Sequence, residues 1–243
     1  MTSNIFSLRG VKKVYQTESV LTWALQPVDL DIAEGEFVAI MGPSGSGKTT
    51  LLSILGLLEP PTSGRFKILG QDIAKCSDRV LSQIRSESIG FVFQSFNLIP
   101  TLSIIENVEL PMLYRRLEHS RERAEVALAR FGLQGRLMHM PSQLSGGQQQ
   151  RAAIARAIAG EPELILLDEL TGNLDTESAK TVMEIVKQIN ADGTAIVMVT
   201  HDRDCARYAR RTLHIVDGVV HEVPATKLFS EDEAGAGLCT DTF

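Results

Sequence analysis

The chain has 243 residues, 44% of them hydrophobic and 22% charged, and a formal net charge of −6 at pH 7. These proportions exclude a disordered chain, a collagen-like fibre and a coiled-coil rod, and the acidic balance argues against general nucleic-acid binding. No apolar run approaches the ~18 residues that span a bilayer, no secretory signal begins the sequence and the three cysteines form no CxxC pair, so we expect a soluble cytosolic domain.

The first part of the chain predicts a small antiparallel sheet. Short β-branched runs with glycines between them cover residues 6–15, 28–32 and 65–69, and such runs are typical of an antiparallel layer. Four later runs are apolar on both faces and predict buried parallel strands. These runs cover residues 37–41, 89–93, 164–167 and 195–199. Helical patterns separate the strands, such as the one over residues 182–189 that ends before Gly193, and this alternation indicates a wound α/β sheet.

Three further segments do not follow this alternation. Residues 95–160 are mostly helical without a convincing strand, so we interpret them as a helical subdomain inserted between two strands of the sheet. Residues 213–216 and 219–223 flank Asp217-Gly218 and predict a hairpin with a primed turn. Periodicity is lost in residues 224–243, which predicts a disordered tail.

The predicted strand at residues 37–41 runs directly into a loop of the pattern GxxxxGK[ST]. The loop consists of Gly42, Pro43, Ser44, Gly45, Ser46, Gly47, Lys48 and Thr49. Its glycines let backbone N–H groups surround an anion, and the helix that follows directs its positive end to the same place. We expect Lys48 to contact the outer phosphates of a nucleotide and the Thr49 hydroxyl to bind Mg²⁺, and we include Thr50 among the nucleotide-binding residues. A glycine-rich turn that binds nothing is the weaker interpretation.

Two acidic residues, Asp168 and Glu169, follow the apolar run at residues 164–167. This position places both carboxylates at the carboxyl edge of a parallel sheet, where α/β proteins bind ligands. Asp168 would hold Mg²⁺ through its water shell, and Glu169 would activate the attacking water as a general base. The alternative is a solvated strand end, which the phosphate loop in the same chain makes the weaker interpretation.

A second glycine pair occurs in the stretch Leu144-Ser145-Gly146-Gly147-Gln148. Ser145 and Gln148 have the spacing of a capping box ahead of a helical run at residues 152–159, so an ordinary helix start is the alternative. Capping does not require Gly146 and Gly147, whereas bare glycines at a helix N-terminus allow close approach of a phosphate. The chain therefore has two anion-binding patterns, which one nucleotide in one subunit does not obviously need.

In this order the motifs resemble those of the ATP-binding-cassette (ABC) ATPase domain, over about residues 5–223. Residues 42–49 resemble the Walker A loop, residues 164–169 resemble Walker B with its catalytic glutamate, and residues 144–148 match the LSGGQ signature in full. The resemblance implies an ABC ATPase of the α/β class. Its fold would be a P-loop NTPase parallel-sheet core with an N-terminal antiparallel β layer and an inserted helical subdomain at about 95–160. The implied activity is hydrolysis of ATP with Mg²⁺ as cofactor.

The resemblance extends to single residues that are weak signals on their own. Gln94 fits the glutamine loop that senses Mg²⁺, Asp175 fits the D-loop, and His201 fits the switch histidine that contacts the γ-phosphate. Tyr15 fits the aromatic residue that stacks on adenine, although Trp23 is a nearby competitor for that role.

One position departs from the family pattern. The family usually has proline after the catalytic glutamate, and this chain has Leu170. A proline would stiffen the loop, so Leu170 would loosen the aim of Glu169. The carboxylate itself is present, and we still expect hydrolysis.

The sequence is similar to that of one branch of the family over residues 91–100, 106–111 and 171–175. That branch contains lipoprotein-releasing, macrolide-exporting and cell-division ATPases, whose partners tend to be integral-membrane permeases. The resemblance implies a head-to-tail homodimer with ATP between residues 42–49 of one subunit and residues 145–148 of the other. The dimer would lie peripherally on the cytoplasmic face of the inner or plasma membrane.

The same resemblance leaves alternatives for the biological role. The first is an ATPase of a transporter, with residues 96–100 as the surface that contacts the permease. The second is a regulatory or mechanical ATPase that signals across the membrane without transport. A third, a soluble ATPase acting on nucleic acid or ribosomes, is disfavoured by the single phosphate loop and the acidic balance, so no nucleic-acid partner is expected.

Overall fold

The computed structural model describes residues 4–16 and 20–223, and the predicted tail at residues 224–243 lies outside this range. The strands of the described residues are β1 (Asn4–Gln16), β2 (Leu21–Ala33), β3 (Phe37–Met41), β4 (Ser63–Ile68), β5 (Gln71–Asp72), β6 (Ile89–Val92), β7 (Leu164–Asp168), β8 (Ala195–Val199), β9 (Arg211–Val216) and β10 (Val219–Val223). The α-helices are α1 (Lys48–Leu55), α2 (Asp78–Ser88), α3 (Ile104–Tyr114), α4 (Ser120–Arg130), α5 (Gly146–Ile158), α6 (Thr176–Ala191) and α7 (Arg203–Ala206). None of these helices is both long and apolar enough to cross a membrane.

The antiparallel layer is a four-stranded sheet of order β2-β1-β4-β5, which confirms the predicted layer. Its second strand is longer than predicted, because it begins at Leu21 and not at Val28. Pro27 lies inside this strand and hides it from a sequence pattern, since proline donates no ladder hydrogen bond. The strand tolerates Pro27 because β2 is at the edge of the sheet.

The wound sheet has the order β10-β9-β3-β8-β7-β6. Strands β3 and β8 have the predicted bounds, and β9 and β10 form the predicted hairpin, with positive φ at both Asp217 and Gly218 as a type I′ turn requires. The sequence did not predict that β9 also pairs with β3 in parallel. The carboxyl ends of β3, β7 and β8 therefore meet at one edge of the sheet, where the candidate site lies.

The core has two layers, one on each face of the wound sheet. In β3, Phe37, Ala39 and Met41 belong to the layer that contains the buried residues of α3 to α6, whereas Val38 and Ile40 belong to the layer under α1 and the antiparallel sheet. This alternation follows from the two-residue period of a strand.

The segment at residues 95–160 is helical, as predicted. Its described elements are α3, α4, α5 and two 3₁₀ turns at Gln134–Arg136 and Pro141–Gln143, with no strand among them. Its apolar residues, such as Val108 and Leu128, join the same core layer as Ile165 and Met198 of the sheet. The segment therefore shares a core with the sheet, and its behaviour as a separate subdomain stays a prediction.

Candidate functional site

The phosphate loop connects the end of β3 to the start of α1 and is enclosed by backbone on two sides. Gly47 has φ of +106°, and a Cβ atom there would lie 2.3 Å from the carbonyl oxygen of Ala24. A Cβ atom at Gly42 would lie 2.1 Å from the carbonyl oxygen of Ile215. Both positions require glycine, because β2 and β9 press against the loop.

The side chains inside the loop suit an anion. Lys48 is buried, and its Nζ donates hydrogen bonds to the carbonyls of Gly42, at 2.8 Å, and Pro43, at 2.7 Å. The Ser46 hydroxyl is buried without a hydrogen-bond partner among the described residues. An ammonium group, an unused hydroxyl and the N-terminus of α1 thus lie together, as a phosphate site requires. Of the next residues, Thr49 is exposed and Thr50 is half-buried.

Asp168 is the last residue of β7, and its carboxylate is half-buried. Burial, and then the negative charge of Glu169, raise the pKa of Asp168, while the positive charge of Lys48 opposes them. The structure therefore brings Asp168, Glu169 and Lys48 into one electrostatic site. The net upward direction of this pKa means that the buried negative charge is only partly compensated by the protein.

Glu169 has a left-handed backbone, with φ of +45°, and its N–H donates to the carbonyl of Val199 at 3.0 Å. Its Oε1 atom lies 3.5 Å from Nδ1 of His201, an exposed residue that follows β8. The side chain of Leu170 is only 3% exposed and belongs to the core. Leu170 thus anchors the loop by packing, in place of the stiffness that a proline would give.

Gln94 lies against the loop that follows Glu169. The carbonyl oxygen of Gln94 accepts a hydrogen bond from Nδ2 of Asn173 at 3.0 Å. A Cβ atom at Gly172 would lie 3.1 Å from Nε2 of Gln94. The structure therefore brings Gln94 close to the acidic edge of the sheet, which is the carboxyl edge where Asp168 and Glu169 lie. Sequence reasoning missed Asn173, because the contact joins two distant segments.

The signature stretch begins α5 with the predicted capping box. The Ser145 hydroxyl accepts from the N–H of Gln148 at 3.3 Å, and Oε1 of Gln148 accepts from the N–H of Ser145 at 3.0 Å. A Cβ atom at Gly147 would lie 2.9 Å from Oγ of Ser178 in α6. Glycine at this position thus has a packing reason that the sequence did not reveal.

Asp175 is the N-cap of α6. Its carboxylate accepts hydrogen bonds from the N–H of Ser178 at 2.9 Å and from the Ser178 hydroxyl at 2.7 Å. These bonds lower the pKa of Asp175 below its usual value. The three-residue spacing from Asp175 to Ser178 is a capping signal that the sequence carries, besides the resemblance of Asp175 to the D-loop residue.

Tyr15 is next to the phosphate-loop helix. Its hydroxyl donates to Oε2 of Glu59 at 2.7 Å. Burial and then this bond raise the pKa of Tyr15, and a hydrogen bond with the Thr50 side chain opposes the shift. Trp23 pairs across the strands with Val14, whereas Tyr15 pairs with Thr22, so the two aromatic side chains lie on opposite faces of the sheet.

Comparisons with known proteins bear on the family of the chain. The sequence profile of the family described as ABC transporter matches residues 25–172. An uncharacterized ABC transporter ATP-binding protein of Bacillus subtilis, YknY, is 48% identical over 91% of this chain and 96% of its own length. The macrolide export ATP-binding/permease protein MacB of Bdellovibrio bacteriovorus is 42% identical over 89% of this chain, and the match covers 33% of that protein.

Solved structures share the fold. The dimeric ATP-binding cassette MJ0796, in a post-hydrolysis state bound to ADP and Pi, matches with a TM-score of 0.84 and 45% identity over 90% of this chain and 97% of that chain. The protein cbiO1 from Clostridium perfringens, part of an ABC transporter complex, matches with a TM-score of 0.83 and 28% identity over 95% of this chain and 92% of that chain. The chain therefore belongs to the ABC transporter family as an ATP-binding, ATPase-type subunit.

Proposed function

We propose that this chain hydrolyses ATP with Mg²⁺ as one half of a homodimer that shares two nucleotides and drives an integral-membrane permease. One observation carries the proposal. Two helix N-termini, those of α1 and α5, are suited to bind phosphate, and they lie in different surroundings. The phosphate loop lies against Ala24 and Ile215, whereas the signature stretch lies against Ser178 and Phe96. A head-to-tail dimer would bring the phosphate loop of one subunit and the signature stretch of the other to every nucleotide.

The donor set fits Mg²⁺. The Thr49 hydroxyl, the Asp168 carboxylate and the Gln94 amide offer hard oxygen atoms, which Mg²⁺ prefers. The partly compensated charge of Asp168 supports a cation at this place, because a cation would lower the pKa that burial and Glu169 raise. Mg²⁺, when bound, would supply charge neutralisation at the phosphates.

The chain's own residues would perform the remaining work. Lys48 would turn its ammonium from the loop carbonyls to the outer phosphates. Glu169 would accept a proton from the attacking water, and His201, with its Nδ1 3.5 Å from the Glu169 carboxylate, would contact the γ-phosphate. Tyr15 would stack on adenine from its place beside Thr50.

A membrane partner is supported by the relatives. The MacB protein of Bdellovibrio bacteriovorus is named as an ATP-binding/permease protein, and this chain matches a third of it. We infer that this chain acts with an integral-membrane permease and contacts it from the cytoplasmic face. The dimeric solved cassettes support the homodimer.

The dimer is tested with Glu169→Gln, which keeps the size of the side chain but removes the carboxylate that activates water. ATP should therefore bind and persist, and loss of the negative charge removes repulsion against the γ-phosphate. We expect the purified variant to be monomeric without nucleotide and to become dimeric at millimolar ATP. Size-exclusion chromatography with light scattering measures the mass directly.

Two serine-to-arginine substitutions, one in the shared site and one outside it, provide the test and its control. Adding Ser145→Arg to Glu169→Gln should abolish the dimer, because a bulky side chain would block the shared site. Adding Ser142→Arg at an exposed position of the preceding 3₁₀ turn should leave it intact. A Glu169→Gln protein that stays monomeric at millimolar ATP, alone and with its membrane partner, would refute the shared site.

A further inference from the structure

The segment after Gln94 contains two consecutive residues in the left-handed region. Phe96 has φ of +61° and Asn97 has φ of +48°. Asparagine adopts this conformation with some ease, but phenylalanine rarely does. Such a backbone persists only where its surroundings fix it.

Arg156, near the end of α5, contributes to this restraint. Its Nη2 donates to the carbonyl of Phe96 at 2.9 Å, and its Nη1 donates to the carbonyl of Asn97 at 2.5 Å. One planar guanidinium group thus joins both left-handed residues, which the fixed fork of arginine permits.

Arg156 is half-buried, and the carbonyls of Phe96 and Asn97 accept hydrogen bonds from its guanidinium group. Burial lowers the pKa of Arg156. Across residues 4–16 and 20–223, no ion pair joins it to a carboxylate. A partly desolvated cation without a carboxylate depends on the backbone oxygens that accept its hydrogen bonds.

The same segment is held at its other end and along its side. The carbonyl of Gln94 accepts from Asn173, in the loop that follows Glu169. A Cβ atom at Gly146, in the first turn of α5, would lie 3.9 Å from Cζ of Phe96. Residues 94–97 are thus fixed between the acidic edge of the sheet and the helix that carries the signature stretch.

We propose that Arg156 is a positioning residue that couples the signature helix α5 to Gln94 through the carbonyls of Phe96 and Asn97. The proposal rests on the proposed function, in which residues 145–148 contact nucleotide and Gln94 binds Mg²⁺. Because α5 is continuous from Gly146 to Ile158, any displacement of its first turn displaces Arg156 as well. Without the guanidinium, the turn relaxes and Gln94 leaves its position.

The test compares two arginine-to-lysine variants of the full chain. Arg156→Lys keeps the charge but cannot hold two carbonyls in one plane. Arg115→Lys is the matched control, because Arg115 is also half-buried and donates to a backbone carbonyl, that of Gly160, outside residues 94–97. We expect Arg156→Lys to raise the Mg²⁺ concentration for half-maximal ATPase activity by about tenfold, and Arg115→Lys to change it less than twofold.

A second measurement requires no nucleotide. Amide hydrogen exchange of the nucleotide-free protein should be faster over residues 94–100 in Arg156→Lys than in the wild type, and unchanged there in Arg115→Lys. If Arg156→Lys does not fold, Arg156→Gln replaces it in both measurements.

The two measurements together distinguish a coupling role of Arg156 from a purely structural one. Faster exchange with an unchanged Mg²⁺ dependence would leave Arg156 a structural role only and overturn the proposal, and so would unchanged exchange. A wild-type protein without ATPase activity would refute the proposed function instead. The exchange data would then judge the Arg156 restraint alone, and unaltered exchange would overturn it.

Discussion

Asp168 carries a charge that the protein compensates only in part. Its pKa is raised by burial and by Glu169, so the folded protein holds a proton on this group more tightly than the unfolded chain does. Stability therefore falls as the pH rises through the unfolded and then the folded pKa. At neutral pH this raised pKa costs stability, because burial and the charge of Glu169 both disfavour the ionised carboxylate.

Replacing the Asp168 carboxylate by an amide tests the stability cost of its charge. Without nucleotide or Mg²⁺, Asp168→Asn should have a higher melting temperature than the wild type at pH 7, because the buried charge is gone. The difference should shrink near pH 4, around the ordinary pKa of an aspartate, where the wild type is also becoming neutral. Scanning calorimetry at the two pH values checks this. An equal difference at both pH values would contradict the electrostatic cause.

At the scale of elements, α5 and α6 approach each other closely at Gly147. A Cβ atom there would lie 2.9 Å from Oγ and 3.1 Å from Cβ of Ser178, and Asp175 holds that hydroxyl in place. We expect Gly147→Ala to lower the free energy of unfolding by ~1–3 kcal/mol, the usual effect of overpacking. Denaturant unfolding measures this loss.

Two further variants test the cause. Gly135→Ala is the control, because a Cβ atom at Gly135 would meet nothing within 4 Å. Gly147→Ala should cost less stability in a Ser178→Gly background than in the wild type, because the side-chain atoms that the new Cβ would meet are absent there. If Gly147→Ala unfolds at the same midpoint as the wild type, the close approach has no energetic consequence.

The elements also show what a sequence can predict. Strands β3 and β8 were predicted with their full bounds, because strands buried on both faces are continuous apolar runs. The sequence does not predict helix α2, since Ser88 is its one buried residue and its sequence has little apolar content. The phosphate loop and the capping box are local patterns and were predictable. The contacts of Asn173 and Arg156 were not, because they join residues that are distant in the chain.

At the scale of the whole molecule, the exposure of residues 96–100 decides which of them best tests contact with the proposed membrane partner. Phe96 and Leu98 of the predicted contact segment 96–100 are half-buried and pack against the core. Ile99 is 37% exposed, and Pro100 is also exposed. Charged substitutions at Phe96 or Leu98 would disturb the fold, so Ile99 is the residue with which to test contact.

We expect Ile99→Glu to reduce co-purification of the permease from solubilised membranes by about tenfold or more, as loss of a central apolar contact does. Val126→Glu is the control, because Val126 is an exposed apolar residue on α4. Quantitative mass spectrometry of the purified complexes gives the ratio. Undiminished recovery with Ile99→Glu would place the contact on another surface.

The hairpin of β9 and β10 has a consequence for the order of events during synthesis. The strand that leads into the phosphate loop pairs with residues 196–199 and 211–214, and the N–H of Gly218 donates to the carbonyl of Ser46 at 3.0 Å. A ribosome therefore completes the loop long before it makes the strands that hold it. The growing chain carries β3 as an unpaired apolar strand until β8 and β9 emerge. Binding of ATP would thus occur late in synthesis. A subunit that binds ATP would be one whose translation has already passed the hairpin of β9 and β10.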